Sequence, residues 1–373
     1  LEVRHRERRR LESAARQYLR QANRHTTDLR SFRHFRAPVC TSAYCTRAAP
    51  RSAREHMPPQ TKSAKIPSLS PFDNPLPLPA LTLTQVSKSY GDVTALAGLD
   101  MRVDEGEVYG FLGRNGAGKS TALQVIMGVT RADAGEISLF DTPMRGDDPA
   151  LRQQLGYVAQ EQHFYEWMNP ERLGAFVGGF YPTWDNEEFS RLLQILEVPR
   201  RRRVEGFSGG MRAKLALALA LAHRPRLLLL DEPTAGMDAV ARREFITIVR
   251  DEAVRSQRTT LFSSHLIDEV EQAADKVGIV DAGRMHYEGS LDLLRSSVTR
   301  YDLPNPDAVD PELPESITRG RVVLQDSLRD NVRSVVVRTD PGVQSGDVAW
   351  PWRQVPLSLE DIFVSMVGKR VSL

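Results

Sequence analysis

The chain has 373 residues, enough for two ordinary domains or one large domain with appendages. Its 41% hydrophobic and 26% charged residues are those of a globular chain, and two cysteines exclude a disulfide scaffold or a Cys-rich zinc module. No run reaches the ~18–20 apolar residues of a membrane helix, and a formal charge of +2 gives no ground for expecting nucleic acid as a partner.

That charge is unevenly spread. Residues 1–56 hold 14 arginines, no lysine and 5 acidic residues, a local charge of +9 that leaves −7 on the remainder. Cys40 and Cys45 both fall in this stretch and read as incidental. From 58 to 79 the text is rich in Pro, Ser and Lys and lacks any apolar period, so residues 1–79 are expected to form a basic, Pro-rich, disordered extension. Three readings of its first part stand open: a basic interaction tail, an organelle-targeting peptide, or coding text upstream of a start at Met57. The composition seam at Met57 favours the third.

From Leu81 the pattern changes. Residues 81–90 alternate as a strand, 101–113 contain another, and 120–129 have helical spacing. Short apolar runs at 155–160, 227–233, 259–265 and 276–283 end in polar turns and read as further strands. Strands interleaved with helices predict a mainly parallel α/β sheet, with ligand at the strand carboxyl ends.

Gly113-Arg114-Asn115-Gly116-Ala117-Gly118-Lys119-Ser120 matches G-x-x-x-x-G-K-[ST], between an expected strand and an expected helix that continues through Thr121. The glycines let backbone N–H groups turn around phosphate oxygens, and the helix N-terminus adds partial positive charge. Lys119 suits the β/γ-phosphates and the Ser120 hydroxyl suits Mg²⁺. Leu227–Leu230 then lead into Asp231 and Glu232. A buried strand ending in a carboxylate suits an Mg²⁺ ligand at Asp231, and Glu232 is placed to polarise an attacking water as general base.

Phe207-Ser208-Gly209-Gly210-Met211 stands between these motifs and opens another helical stretch. Here the sequence resembles the ATP-binding subunits of ABC transporters, over about residues 81–290. The resemblance implies an α/β P-loop NTPase cassette at 80–295, with a RecA-like core, an antiparallel β subdomain and a helical subdomain. A small α/β accessory region at 296–373 follows; its segments 321–325 and 334–338 read as strands and 359–367 as an amphipathic helix. Tyr90 looks like the residue that stacks on adenine. Gln160 resembles the glutamine that senses Mg²⁺ and the γ-phosphate. Ser208, Gly209 and Gly210 resemble the signature that meets a γ-phosphate on the opposite subunit, Asp238 the loop linking the two sites, and His265 the switch histidine. Phe207, Met211, Ala159 and Met237 depart from common family residues without removing a catalytic group, so an active ATPase is expected.

The same resemblance implies ATP and Mg²⁺, a head-to-tail homodimer or heterodimer, and a separate transmembrane permease at the cytoplasmic face of the membrane. Phe180-Tyr181-Pro182-Thr183-Trp184-Asp185 is similar to the exporter-type (ABC-2) branch. The aromatic stretch from His163 to Trp184 reads as helical-subdomain core, as a groove for a permease helix, or as both. Arg200–Arg203 reads as a solvated loop, with acidic lipid or permease contact as the alternative. The rival function is a soluble ABC ATPase acting on ribosomes or DNA; those usually carry two cassettes or a long insertion, which this chain lacks.

Overall fold

In the computed structural model the described residues are 78–144, 148–304, 313–339 and 351–368. The described residues all belong to one compact unit within Leu76–Leu373. The disorder expected for 1–79, apart from its last two residues, and both cysteines therefore lie outside the described residues.

A hairpin begins the unit: β1 (Pro79–Tyr90) and β2 (Val93–Asp104). Then come β3 (Val108–Gly113), α1 (Lys119–Ile126), β4 (Ala134–Leu139), β5 (Thr142–Pro143), α2 (Pro149–Arg152) and β6 (Leu155–Val158). Helices α3 (Pro170–Gly178), α4 (Asn186–Ile195) and α5 (Gly209–Leu221) precede β7 (Leu227–Asp231). After α6 (Ala239–Ser256) follow β8 (Thr259–Ser264), α7 (Ile267–Ala273), β9 (Lys276–Asp281), β10 (Arg284–Ser290) and α8 (Leu291–Ser297).

The first sheet is antiparallel, in the order β2-β1-β4-β5. Its inner face carries Leu81, Leu83, Leu96, Leu99 and Met101, which share a core with Leu123 and Ile126 of α1. The stretch 101–113, expected to contain a strand, holds the end of one and the whole of the next. Met101–Asp104 ends β2 in this sheet, and Val108–Gly113 starts the next, with a turn at Glu105–Glu107 between them. Two apolar runs separated by so short a polar break read alike in sequence whether they share a sheet or change sheets.

The second sheet has the order β10-β9-β3-β8-β7-β6, parallel except for the antiparallel edge strand β10. β3, β7 and β8 are buried at every residue; β7 accordingly reads as a continuous apolar run, whereas β8 buries Thr and Ser on either side of Leu261-Phe262. Leu112 of β3 pairs with Ser264 of β8, and Asp231 of β7 pairs with Ser263. The sheet register thus brings three strand ends to one edge.

Helix α5 is buried nearly all round from Ala213 to Leu221, as a helix that is apolar on every face must be. Around it the aromatic stretch packs edge to face: Tyr165 on Phe176 at 5.8 Å and Phe176 on Phe180 at 5.4 Å, while Tyr181 stacks on His223 at 4.0 Å. Phe180 still exposes 62% of its surface.

The last part holds β11 (Val298–Pro304), α9 (Glu315–Thr318), β12 (Arg321–Arg329), β13 (Val332–Thr339), β14 (Arg353–Val355) and α10 (Leu359–Val367). Its antiparallel sheet, β12-β13-β11-β14, packs around Tyr301, Leu303, Ile317, Val335, Val337 and Trp352. β12 and β13 contain the strands expected at 321–325 and 334–338 and extend them, whereas β11 and β14 add to the expectation. Helix α10 spans the expected residues and starts at a capping box between Ser358 and Asp361. Among the described residues no helix is long and apolar enough to cross a membrane.

Candidate functional site

The loop between β3 and α1 is built by its glycines. Gly116 and Gly118 have φ of +83° and +104°, a region L side chains rarely enter. At Gly118 a Cβ would also lie 2.4 Å from the Ala95 carbonyl oxygen, so the loop is seated against β2. At Gly116 a Cβ would meet nothing within 4 Å, and Arg114, Asn115 and Gly116 are exposed. Ala117 N–H closes the turn on Arg114 O at 3.1 Å, and Gly283 N–H braces it by donating to Ala117 O at 3.0 Å. Half-buried Thr121 lies in the first turn of α1, whose leading N–H groups have no intrahelical acceptor.

Lys119 leaves the loop inward and is only 4% exposed. Its ammonium donates to Gly113 O at 2.8 Å and Arg114 O at 3.1 Å, and pairs with Glu232 Oε1 at 3.0 Å. Those contacts use all three of its donors. Beside it, Ser120 Oγ donates to Asp231 Oδ1 at 3.0 Å, and Ser263 Oγ donates to the same oxygen at 2.9 Å. Burial raises the Asp231 pKa above the usual carboxylate value, and the two hydroxyl donors only partly oppose that. Burial, then the Asp231 charge, also push the Tyr157 phenol up to about 12.

Glu232 departs from ordinary backbone geometry. Its φ is +41°, a strain of about 1–3 kcal/mol for a non-glycine residue. Ser263 Oγ accepts its N–H at 2.9 Å and Ala235 donates to its carbonyl at 3.0 Å, which together hold the bend. The bend turns the side chain from the strand axis to both Lys119 and His265; His265 Nδ1 lies 3.1 Å from Glu232 Oε2. A lysine, a carboxylate and an imidazole therefore form one chain, with the Ser120–Asp231 pair alongside.

The structure brings together Lys119, Ser120, Asp231, Glu232 and His265 beside the loop 113–118, and among the described residues no hydrogen bond or ion pair joins Tyr90, Gln160, Ser208, Gly209, Gly210 or Asp238 to those five. Tyr90 closes β1 with its ring half exposed; the Lys88 ammonium is 5.4 Å from the ring centroid and is itself held by Asp133 at 2.8 Å. Gln160 is exposed just beyond β6, where Gln162 Nε2 donates to Ala159 O at 2.8 Å and to Gln160 O at 3.2 Å. Gln162 therefore ties the turn on which Gln160 sits. Ser208 caps α5 by accepting from Met211 N–H, and Gly209 beside it is open to solvent. Asp238 caps α6 by accepting from Val240 and Ala241, and it too is exposed.

Sequence reasoning missed Ser263, which contacts both Asp231 and the Glu232 N–H, and Glu269, which is buried next to the His265 turn. The pair Ser263-Ser264 ahead of His265 was a usable signal, since two small hydroxyls at a strand end serve buried polar groups. Glu269 gave no such signal, because an acidic residue in the first turn of a helix reads as ordinary capping.

Residues 96–235 match the family model described as ABC transporter. The Nod factor export ATP-binding protein I of Neorhizobium galegae is 31% identical over 336 residues, covering 86% of this chain and 93% of that protein. The daunorubicin resistance ATP-binding protein DrrA3 of Streptomyces coeruleorubidus is 32% identical over 308 residues, covering 78% and 96%. A solved structure titled as the ATP binding subunit of an ABC transporter is 27% identical, with a TM-score of 0.53 over 58% of this chain and 92% of that one. Relatives named for export and resistance favour a transporter ATPase over the ribosome- or DNA-acting rival. The chain belongs to the ABC transporter family, among its ATP-binding, ATPase subunits.

Proposed function

We propose that this chain binds ATP between two subunits packed head to tail and hydrolyses it to drive a separate membrane permease, as an exporter. The observation that carries the reading is the contact chain Lys119–Glu232–His265 beside Ser120–Asp231 at the shared edge of β3, β7 and β8. Phosphate oxygens entering the loop compete with Gly113 O, Arg114 O and Glu232 for the Lys119 ammonium. Once the lysine turns to phosphate, Glu232 is released to accept a proton from water, and His265 holds its carboxylate in line. Tyr90, at the open end of β1, offers its face to adenine.

The donors fit Mg²⁺. Ser120 Oγ and Asp231 Oδ1, 3.0 Å apart, are hard oxygens of the kind this ion takes together with phosphate oxygens, and Gln160 is the third candidate. Bound there, Mg²⁺ would neutralise charge on the phosphates and favour the ionised form of buried Asp231.

The dimer reading rests on α5. Ser208, Gly209 and Gly210 form a helix N-terminus suited to anions, yet Ser208 and Gly209 face solvent and touch none of the phosphate-loop residues. A two-fold arrangement lets each chain's signature close the other chain's site. For the permease, an apolar groove of about 470 Å³ follows Gln160, lined by Tyr157, Val158, Phe164, Tyr181, Leu219 and His223. It suits a short helix from a membrane subunit, which would hold this chain at the cytoplasmic face. The relatives' names support export as the direction.

The test is purification of the chain from detergent-solubilised membranes. A stoichiometric multi-span partner and ATP hydrolysis are expected; recovery with ribosomes or DNA instead would overturn the reading.

A further inference from the structure

Glu269, in the first turn of α7, is 3% exposed and uses both carboxylate oxygens. Thr234 Oγ1 donates to Oε1, and Ser264 Oγ donates to Oε2 at 2.6 Å. Arg242 of α6 adds its charge, with Nε 3.4 Å from Oε1, and donates from Nη2 to Met237 O at 3.3 Å. Thr234 and Ser264 are far apart in sequence but belong to two turns next to Glu232.

One turn carries His265. Leu266 N–H donates to Ser264 Oγ at 2.9 Å, so the hydroxyl that Glu269 holds is the pivot of that turn. The other runs from Thr234 to Asp238; Met237 N–H closes it on Thr234 O at 3.0 Å, and it joins Glu232 through Ala235 N–H. Stability alone does not account for a carboxylate at this place, since replacing a buried ionic cluster by apolar packing is often neutral or favourable. What Glu269 supplies is a fixed distance between the two turns.

We propose that Glu269 is a positioning residue that locks the His265 turn to the 234–238 loop, so that contact of that loop with a second subunit sets His265 against Glu232. The inference rests on the head-to-tail reading above. Glu269 itself touches neither nucleotide nor the attacking water; it acts through Ser264 and Thr234.

The test uses the purified full-length chain with Glu269→Gln and Glu269→Ala. The expected result is a kcat lower by about tenfold or more, with the ATP concentration for half-maximal rate moving less than about threefold. Thr234→Val and Ser264→Ala each remove one arm and serve if Glu269→Ala does not fold. Each is expected to lower kcat in the same way, and Thr234→Ser, which keeps the hydroxyl, is expected to restore it. A kcat within about twofold of the parent, or an equal loss of ATP affinity, would overturn the proposal, as would a Thr234→Ser rate no better than Thr234→Val. The dimer is tested separately, by sedimentation of Glu232→Gln with ATP. Failure of that variant to dimerise would remove the dimer reading, whereas dimerisation with unchanged kcat in the Glu269 variants would remove only the positioning role.

Discussion

Replacing Gly118 by alanine separates what the loop between β3 and α1 needs for folding from what it needs for the proposed phosphate ligand. At φ +104° an L side chain is strained by about 1–3 kcal/mol. Its Cβ would also sit 2.4 Å from Ala95 O and 3.0 Å from Leu96 Cδ2, and forced overpacking of that kind costs about 1–3 kcal/mol. The two together come to about 2–6 kcal/mol, a large share of the ~5–15 kcal/mol that holds a typical domain. For a domain of ~150–250 residues, at about 2–4 °C per kcal/mol, this lowers Tm by roughly 4–24 °C. Gly116→Ala is the control, because its φ of +83° carries the strain while a Cβ there meets nothing within 4 Å. That variant should lose only the strain contribution, about 2–12 °C. Both should weaken ATP binding, since both distort the same N–H groups. Scanning calorimetry of the two variants, with titration calorimetry of ATP, reads both effects. A Gly118→Ala melting point within 2 °C of the parent's, to use a margin of about one strained residue, would refute the reasoning. So would a larger loss for Gly116→Ala.

The remaining expectations concern other parts of the site and its supports. Lys119→Ala removes the proposed phosphate ligand and also strips the buried Glu232 of its cation, so ATP affinity should collapse and stability should fall by about 3–5 kcal/mol; unchanged affinity in titration calorimetry would contradict the assignment. Tyr90→Ala should weaken ATP about 5–100-fold through lost stacking, and Tyr90→Phe should restore it; equal affinities across the pair would remove Tyr90 from the site. Arg191 hydrogen bonds hold Glu188 below its ordinary 4.5, and although burial opposes it, Arg191 and Arg255 hold Glu252 below the same value. Both carboxylates therefore contribute stability above pH 4.5 that is lost as pH falls through their lowered values, and Arg191→Met should flatten the acid limb of a Tm-against-pH profile.

The candidate site was legible because its information is local. Eight consecutive residues from Gly113 to Ser120 specify the glycine-rich loop between β3 and α1, and Asp231 and Glu232 follow the four leucines in which the burial of a strand is written. Ser208 announced the start of α5, where a capping serine precedes two glycines. What stayed hidden depends on sheet register and long-range approach. The bend at Glu232, with its φ of +41°, exists because Ser263 from the neighbouring strand takes its N–H. The tie from Glu269 to Thr234 spans 35 positions, and no periodicity encodes it. β11 and β14 were missed for a different reason: Val298–Pro304 alternates weakly, and Arg353–Val355 has three residues, too few for a period. The switch of sheets between β2 and β3 is likewise a tertiary decision: β2 pairs with β1, whereas β3 pairs with β8 and β9.

The central claim is that two chains share each ATP and that Glu232 takes the proton from water. It is tested most directly by Glu232→Gln, in which the amide keeps the shape and loses the base. Sedimentation velocity with ATP and Mg²⁺, together with phosphate release, should give a trapped dimer whose turnover is lower by about 10²–10⁴-fold. Full turnover would remove Glu232 as the base, and a monomer at saturating ATP would contradict the shared site.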